Sequence, residues 1–256
     1  MFNSSQNIIT NFSLPYIFKS DFELNGNLNM IRKDTTFFNI NLEAKINYLI
    51  SNNYSVGIVY NSIGSTSLLA SEYNSTSLTN FGFSLMKNKL DNLFNPIKGF
   101  KFNTTITSGL KKTFLTENSN EIEQKTTNYF GLINYEQYLK ISNRTTFRVK
   151  LNGVTTINDN LFENELSRIG GYQNLRGFDE ESISVSSYLI GSFEYSYHLD
   201  KGSNIFLLTD FCESEKKTNT EVLIRSYQSI GLGLNISLNN GFLTMIYALG
   251  KEIKQP

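Results

Sequence analysis

The chain has 256 residues and a mass of 29.2 kDa, and its 23 Lys and Arg are balanced by 23 Asp and Glu. Zero net charge argues against nucleic acid as a partner, because neutralising phosphates needs a surplus of cations. One cysteine (Cys212) and one histidine (His198) exclude an internal disulfide and a Cys-built or multi-His metal site, so no metal and no cofactor is expected.

Charged residues make up 18% of the chain, and neutral Asn, Ser and Thr take their place. With 20 Phe, 14 Tyr and 3 Pro the composition leans towards strand. Mean hydropathy is −0.26, and no run approaches the roughly 18 apolar residues of a transmembrane helix. The first residues, Met1-Phe2-Asn3-Ser4, open neither a basic region nor a signal-peptide core.

From the N-terminus onward the dominant pattern is alternation with period two, which puts successive side chains on opposite faces of a strand. Phe22, Leu24, Gly26, Leu28 and Met30 oppose Asp21, Glu23, Asn25, Asn27 and Asn29. Phe38, Ile40, Leu42, Ala44, Ile46 and Tyr48 oppose Asn39, Asn41, Glu43, Lys45 and Asn47. Phe147, Val149 and Leu151 then face away from Arg148 and Lys150. Val185, Leu189, Phe193, Tyr195 and Tyr197 oppose Ser192, Glu194, Ser196 and His198. Ile230, Leu232, Leu234, Ile236 and Leu238 oppose Ser229, Gly231, Gly233 and Asn235.

The pattern predicts strands over about 8–16, 20–31, 36–49, 53–61, 78–87, 99–111, 127–141, 144–157, 183–199, 204–211, 226–238 and 241–249. Turn signals fall between them at Ile31-Arg32-Lys33-Asp34, Ser51-Asn52-Asn53, Asn95-Pro96, Asp200-Lys201-Gly202-Ser203 and Asn239-Asn240-Gly241. Longer polar loops are expected over 112–126 and 158–182, with Lys111-Lys112 and Lys216-Lys217 as solvated turn charges.

Strand length separates two architectures. Sandwich strands run about five or six residues, whereas crossing a bilayer at a tilt takes about 9–11. Charges in mid-strand on the polar face (Glu43, Lys45, Arg148, Lys150) suit a wet lumen. The fold class is therefore all-β: an antiparallel, up-and-down transmembrane β-barrel of about twelve strands, with Phe38, Ile40, Leu42, Ile46, Phe193, Tyr195, Leu232 and Leu234 outside.

One loop carries a more specific pattern: Ser167-Arg168-Ile169-Gly170-Gly171-Tyr172-Gln173-Asn174-Leu175-Arg176-Gly177-Phe178-Asp179-Glu180. A Gly-Gly pair followed by Leu-Arg-Gly-Phe resembles the sixth extracellular loop of the BamA/TamA superfamily of outer-membrane assembly and secretion barrels. Glu194 resembles that family's lumen-facing glutamate on the next strand, Asp210 the aspartate of the strand after it, and Asn95-Pro96-Ile97-Lys98-Gly99-Phe100 the segment opening an earlier strand. Cys212 stands where the family usually has Gly, so that strand end is expected to bend differently.

The resemblance implies a loop motif of Gly170, Gly171, Leu175, Arg176, Gly177 and Phe178 folded into the lumen, with Arg176 partnered by Glu194 and Asp210. A guanidinium between two carboxylates neutralises both, and Gly177 lets the backbone approach the wall. The resemblance further implies the bacterial outer membrane as location. It implies lipids and unfolded outer-membrane or secreted polypeptides as partners, and sixteen strands in the complete barrel. The chain reads as residues 1–256 of one partial barrel domain, with strands missing at both ends. Periplasmic partners would act through N-terminal POTRA modules not in this chain.

Catalysis is not expected. His198 at a strand end reads as a rim residue, and Gly231-Leu232-Gly233 lacks the third glycine of a dinucleotide loop. A two-partner-secretion transporter and a passive diffusion porin are the alternatives. The porin requires a charged constriction rather than an Arg-Gly-Phe loop.

Overall fold

A computed structural model describes residues 5–33, 37–67, 75–93, 95–117, 120–200, 202–219, 221–238 and 241–253. Eight strands precede the long loop: β1 (Ser5–Leu14), β2 (Phe22–Lys33), β3 (Phe37–Ser51), β4 (Tyr54–Ser67), β5 (Ser75–Leu90), β6 (Gly99–Glu117), β7 (Asn120–Lys140) and β8 (Thr145–Ile157). The loop contains two short strands, β9 (Ser167–Ile169) and β10 (Ile183–Val185). Four long strands follow: β11 (Ser187–His198), β12 (Asn204–Lys217), β13 (Val222–Leu238) and β14 (Gly241–Ile253). Each of the twelve predicted strands has its counterpart. Turn residues Asp34, Lys201, Asn239 and Asn240 lie outside the described residues.

The long strands form one antiparallel meander, β1 to β8 and then β11 to β14, while β9 and β10 pair only with each other. β1 and β14 are the edges of the large sheet. Its faces follow the alternation. Leu42, Ile46, Phe193, Tyr195 and Leu232 are exposed on the outer face, and Phe38, Ile40 and Leu234 are half-buried on the same side. Phe83 is 73% exposed and Ile230 67%, which places the apolar face against lipid rather than against a second sheet. Aromatic rings cross the ladders on this face, Phe147 to Phe193 at 6.3 Å and Phe193 to Phe211 at 6.4 Å.

Three expectations need correction. In place of the loop expected over 112–126, residues 112–117 and 120–126 are ladder: Lys112 pairs with Lys125, Thr113 with Gln124 and Phe114 with Glu123. Alternation continues there in polar residues, as suits strands that have left the hydrocarbon layer; Lys112 pairs Glu123 at 3.0 Å. The strand expected over 183–199 breaks at Ser186. Val185 thereby leaves the lipid-facing series and is buried inside the loop's own core. Lastly, β12 does not bend at Cys212 but continues to Lys217.

Candidate functional site

Residues 158–186 leave β8, pass into the lumen and return to β11. Their inner part has its own apolar core. Ile169, Leu175 and Val185 of the loop pack with Ile190, Cys212 and Tyr227 of the wall, and Phe178, Ile183 and Tyr188 pack against them. Cys212 is thus a small apolar wall residue beneath the loop, where glycine would leave a gap.

The turn that presents Arg176 is built from glycines and one amide. Gly170 (φ +115°) and Gly171 (φ +95°) occupy the left-handed half of backbone space. Asn174 Oδ1 accepts hydrogen bonds from the Gly170 amide (2.9 Å) and the Leu175 amide (2.7 Å), and Gly171 N–H donates to the Leu175 carbonyl at 3.0 Å. Gly177 (φ +87°) lies against β14: a β-carbon there would sit 2.6 Å from the Gly250 nitrogen. Phe178 turns beside Gly250 and meets Tyr227 edge-on, with ring centroids 5.4 Å apart.

Arg176 is buried and bridges two strands. Its Nη1 donates to Glu194 Oε1 on β11. On β12, its backbone amide (3.0 Å) and Nε (2.9 Å) donate to Asp210 Oδ2, and Nη2 donates to Oδ1. Asp210 is 0% exposed, so this fork is the arrangement that permits a charge there. The structure therefore brings together all of the sequence-derived site residues: Gly170, Gly171, Leu175, Arg176, Gly177, Phe178, Glu194 and Asp210. His198 stands apart at the end of β11, its Nε2 2.9 Å from Thr146 Oγ1.

Four members of the site were missed. Arg148 on β8 donates through Nη1 to both oxygens of Glu194 (3.0 Å each), and its Nη2 lies 3.3 Å from Glu136 on β7. Tyr138 donates to Glu136 at 2.9 Å, its ring under the Arg148 guanidinium at 5.5 Å. Lys150 donates to the Gln173 carbonyl of the loop at 3.0 Å. Charges thus alternate from β7 to β12 as Glu136, Arg148, Glu194, Arg176, Asp210. The signal lay in strand register, which sets Arg148 opposite Glu194.

Lys111 and Lys216 also depart from their expected role as solvated charges. Lys111 is 1% exposed, donating to the Asn160 carbonyl and Glu165 of the loop and lying 4.7 Å above the Phe162 ring. Lys216 pairs with Glu163 of the loop and, at 2.7 Å, with Glu221.

The comparisons agree with this geometry. The model of the Omp85 superfamily domain matches residues 3–256. The chain belongs to the Omp85 superfamily. Among solved structures it is similar to BamA from Haemophilus ducreyi lacking POTRA domains 1–3. There the TM-score is 0.68 at 17% identity, over 98% of this chain and 59% of that one. CdiB from Acinetobacter baumannii aligns over 98% of this chain and 57% of its own, with TM-score 0.46 and 14% identity. No curated protein sequence matches the chain. The chain thus spans 59% of the length of the BamA structure and reproduces part of an Omp85 barrel.

Proposed function

We propose that this chain is the greater part of a bacterial outer-membrane barrel that helps other polypeptides insert into, or cross, that membrane. No covalent chemistry is involved, and the partners are lipids and unfolded polypeptide clients. The observation that carries the reading is the lumenal loop pinned through Arg176 to Glu194 and Asp210 in a chain of the Omp85 superfamily. The pinned loop holds the wall in the shape that receives a client. A loop filling the lumen beside β11–β14 also disfavours the diffusion porin, which needs that space open.

The test is Arg176→Ala in the full-length protein. Client insertion or secretion should fall more than barrel folding does, and Arg176→Lys should recover it only in part, because an ammonium does not make the two-pronged contact with Asp210. Normal assembly and secretion with Arg176→Ala would defeat the proposal. Loss of secretion of one dedicated partner, with outer-membrane insertion intact, would select the two-partner transporter.

A further inference from the structure

The loop is held at its root as well as at its tip, and by the other half of the sheet. Lys111 on β6 is buried between the Asn160 carbonyl, Glu165 and the Phe162 ring. Glu165 Oε2 also accepts the Phe162 amide at 3.0 Å, so one carboxylate joins the wall cation to the loop backbone. Asn164 donates to Ser65 Oγ on β4 at 2.6 Å, and its carbonyl accepts from Asn39 on β3 at 3.1 Å. Asn158 donates to the Thr127 carbonyl on β7 at 2.9 Å.

Root and tip are mechanically continuous. The β9–β10 ladder follows Glu165 directly, and the Gly170-Gly171 turn hung on Asn174 leads from β9 to Arg176. In the order of the sheet, β7, β8 and β11 lie between the β6 anchor and the β12 anchor. A segment tied to both ends of that arc acts as a chord and fixes its curvature.

We infer that Lys111, through Glu165, is a positioning residue for the Arg176 site: it closes a two-point strut that sets the curvature of the sheet from β6 to β12. The inference rests on the proposed role of the pinned loop and adds a second tether to it. A buried cation whose partners all belong to the loop has no reason to stay buried once the loop lifts, so root and tip should loosen together.

Cys212, 2% exposed beneath the loop, reports that loosening directly. The full-length protein in outer-membrane vesicles is treated with a charged, membrane-impermeant maleimide, and labelling of the Cys212 peptide is timed by mass spectrometry. Lys111→Met should speed labelling about tenfold with the heat-modifiable folded band retained, and Glu165→Gln should match it. The double variant should label no faster than either single one, since the two side chains form one contact.

Wild-type labelling with Lys111→Met while Arg176→Ala labels fast, or additive effects in the double variant, overturns the strut and leaves the proposed function standing. Faster labelling in both Lys111→Met and Arg176→Ala with normal client assembly keeps the strut and defeats the proposed function instead. Where Lys111→Met does not fold, Glu165→Gln, which alters only the loop, decides in the same way.

Discussion

On β2 to β5 the inward positions are mostly neutral amides: Asn25, Asn27, Asn29, Asn39, Asn41, Asn47, Asn61 and Asn80. Asn29, Asn39, Asn41, Asn61 and Asn80 line a cavity of about 300 Å³, and Asn61 donates sideways to Asn41 at 2.7 Å. That volume corresponds to about ten waters at liquid density. On β8, β11 and β12 the inward positions hold charges and apolar groups, and the loop covers them. The difference shows how one sheet serves two purposes. Neutral amides line a wet space at low cost, because water replaces any bond they lose. Charges are placed where a fixed partner is wanted, because only a buried, forked ion pair penalises its own separation strongly.

The largest effect should come from breaking the charged side at its deepest point. Asp210→Ala leaves Nε, Nη2 and the backbone amide of Arg176 without an acceptor in a buried site, with only the Glu194 contact remaining, which costs about 3–5 kcal/mol of loop docking. Cys212 labelling should then exceed that of any variant at the loop root. A labelling rate like that of wild type would mean that the two walls do not differ in the way described.

Next comes the backbone contact at β14. Gly177→Ala puts a β-carbon 2.6 Å from the Gly250 nitrogen at φ +87°, and about 1–3 kcal/mol of strain should appear as a lower unfolding temperature of the folded band. Gly250→Ala meets the Phe178 ring at 2.4 Å and the Gly177 carbonyl at 2.6 Å, but without a left-handed φ, and should cost less. Equal losses would show that the left-handed backbone of Gly177 adds no cost of its own.

On the amide side, Asn61→Ala removes one lateral bond to Asn41 and should cost about 0.5–1.5 kcal/mol, with water taking the vacated place. A loss as large as that of Asp210→Ala would erase the contrast.

The smallest effect lies outside the membrane, at the β11–β12 turn. The Gly202 and Ser203 amides both donate to Asp200 Oδ1 at 2.7 Å and hold its carboxyl below the ordinary carboxylate value. A carboxyl lowered by folding stabilises the turn above its unfolded pKa, and that contribution is lost as pH falls through the folded one. Asp200→Asn should flatten only this acid limb of unfolding measured against pH, with no change at neutrality beyond the turn itself.

Strands and their faces were legible because a two-residue period survives in polar as well as apolar letters. The error at 112–126 arose where the apolar letters thinned while pairing went on. Arg176 with Glu194 and Asp210 was legible because a short motif of unusual composition resembles a known one. Arg148 and Glu136 were not, since their meeting depends on register between strands that no local pattern states. Lys111 lay between. Its odd-numbered place in β6, in line with Thr105 and Thr107, pointed it inward, but which loop atoms would meet it depends on the path of a loop with no period of its own.

The amide lining has an electrical consequence. An asparagine side chain offers a carbonyl to a cation and an amino group to an anion, so a wall made of it holds no fixed charge against either. Among the described residues, the charges that line the chamber along β2 to β5 are Glu23, the mutually paired Glu43 and Lys45, 2.9 Å apart, and Glu165 of the loop, itself paired with Lys111. Rings of like charge are what give a pore its ion preference, and this wall has none among the described residues. Current leaking along it under a salt gradient should reverse close to zero voltage, and a passing segment rich in lysine should meet the same resistance as one rich in aspartate.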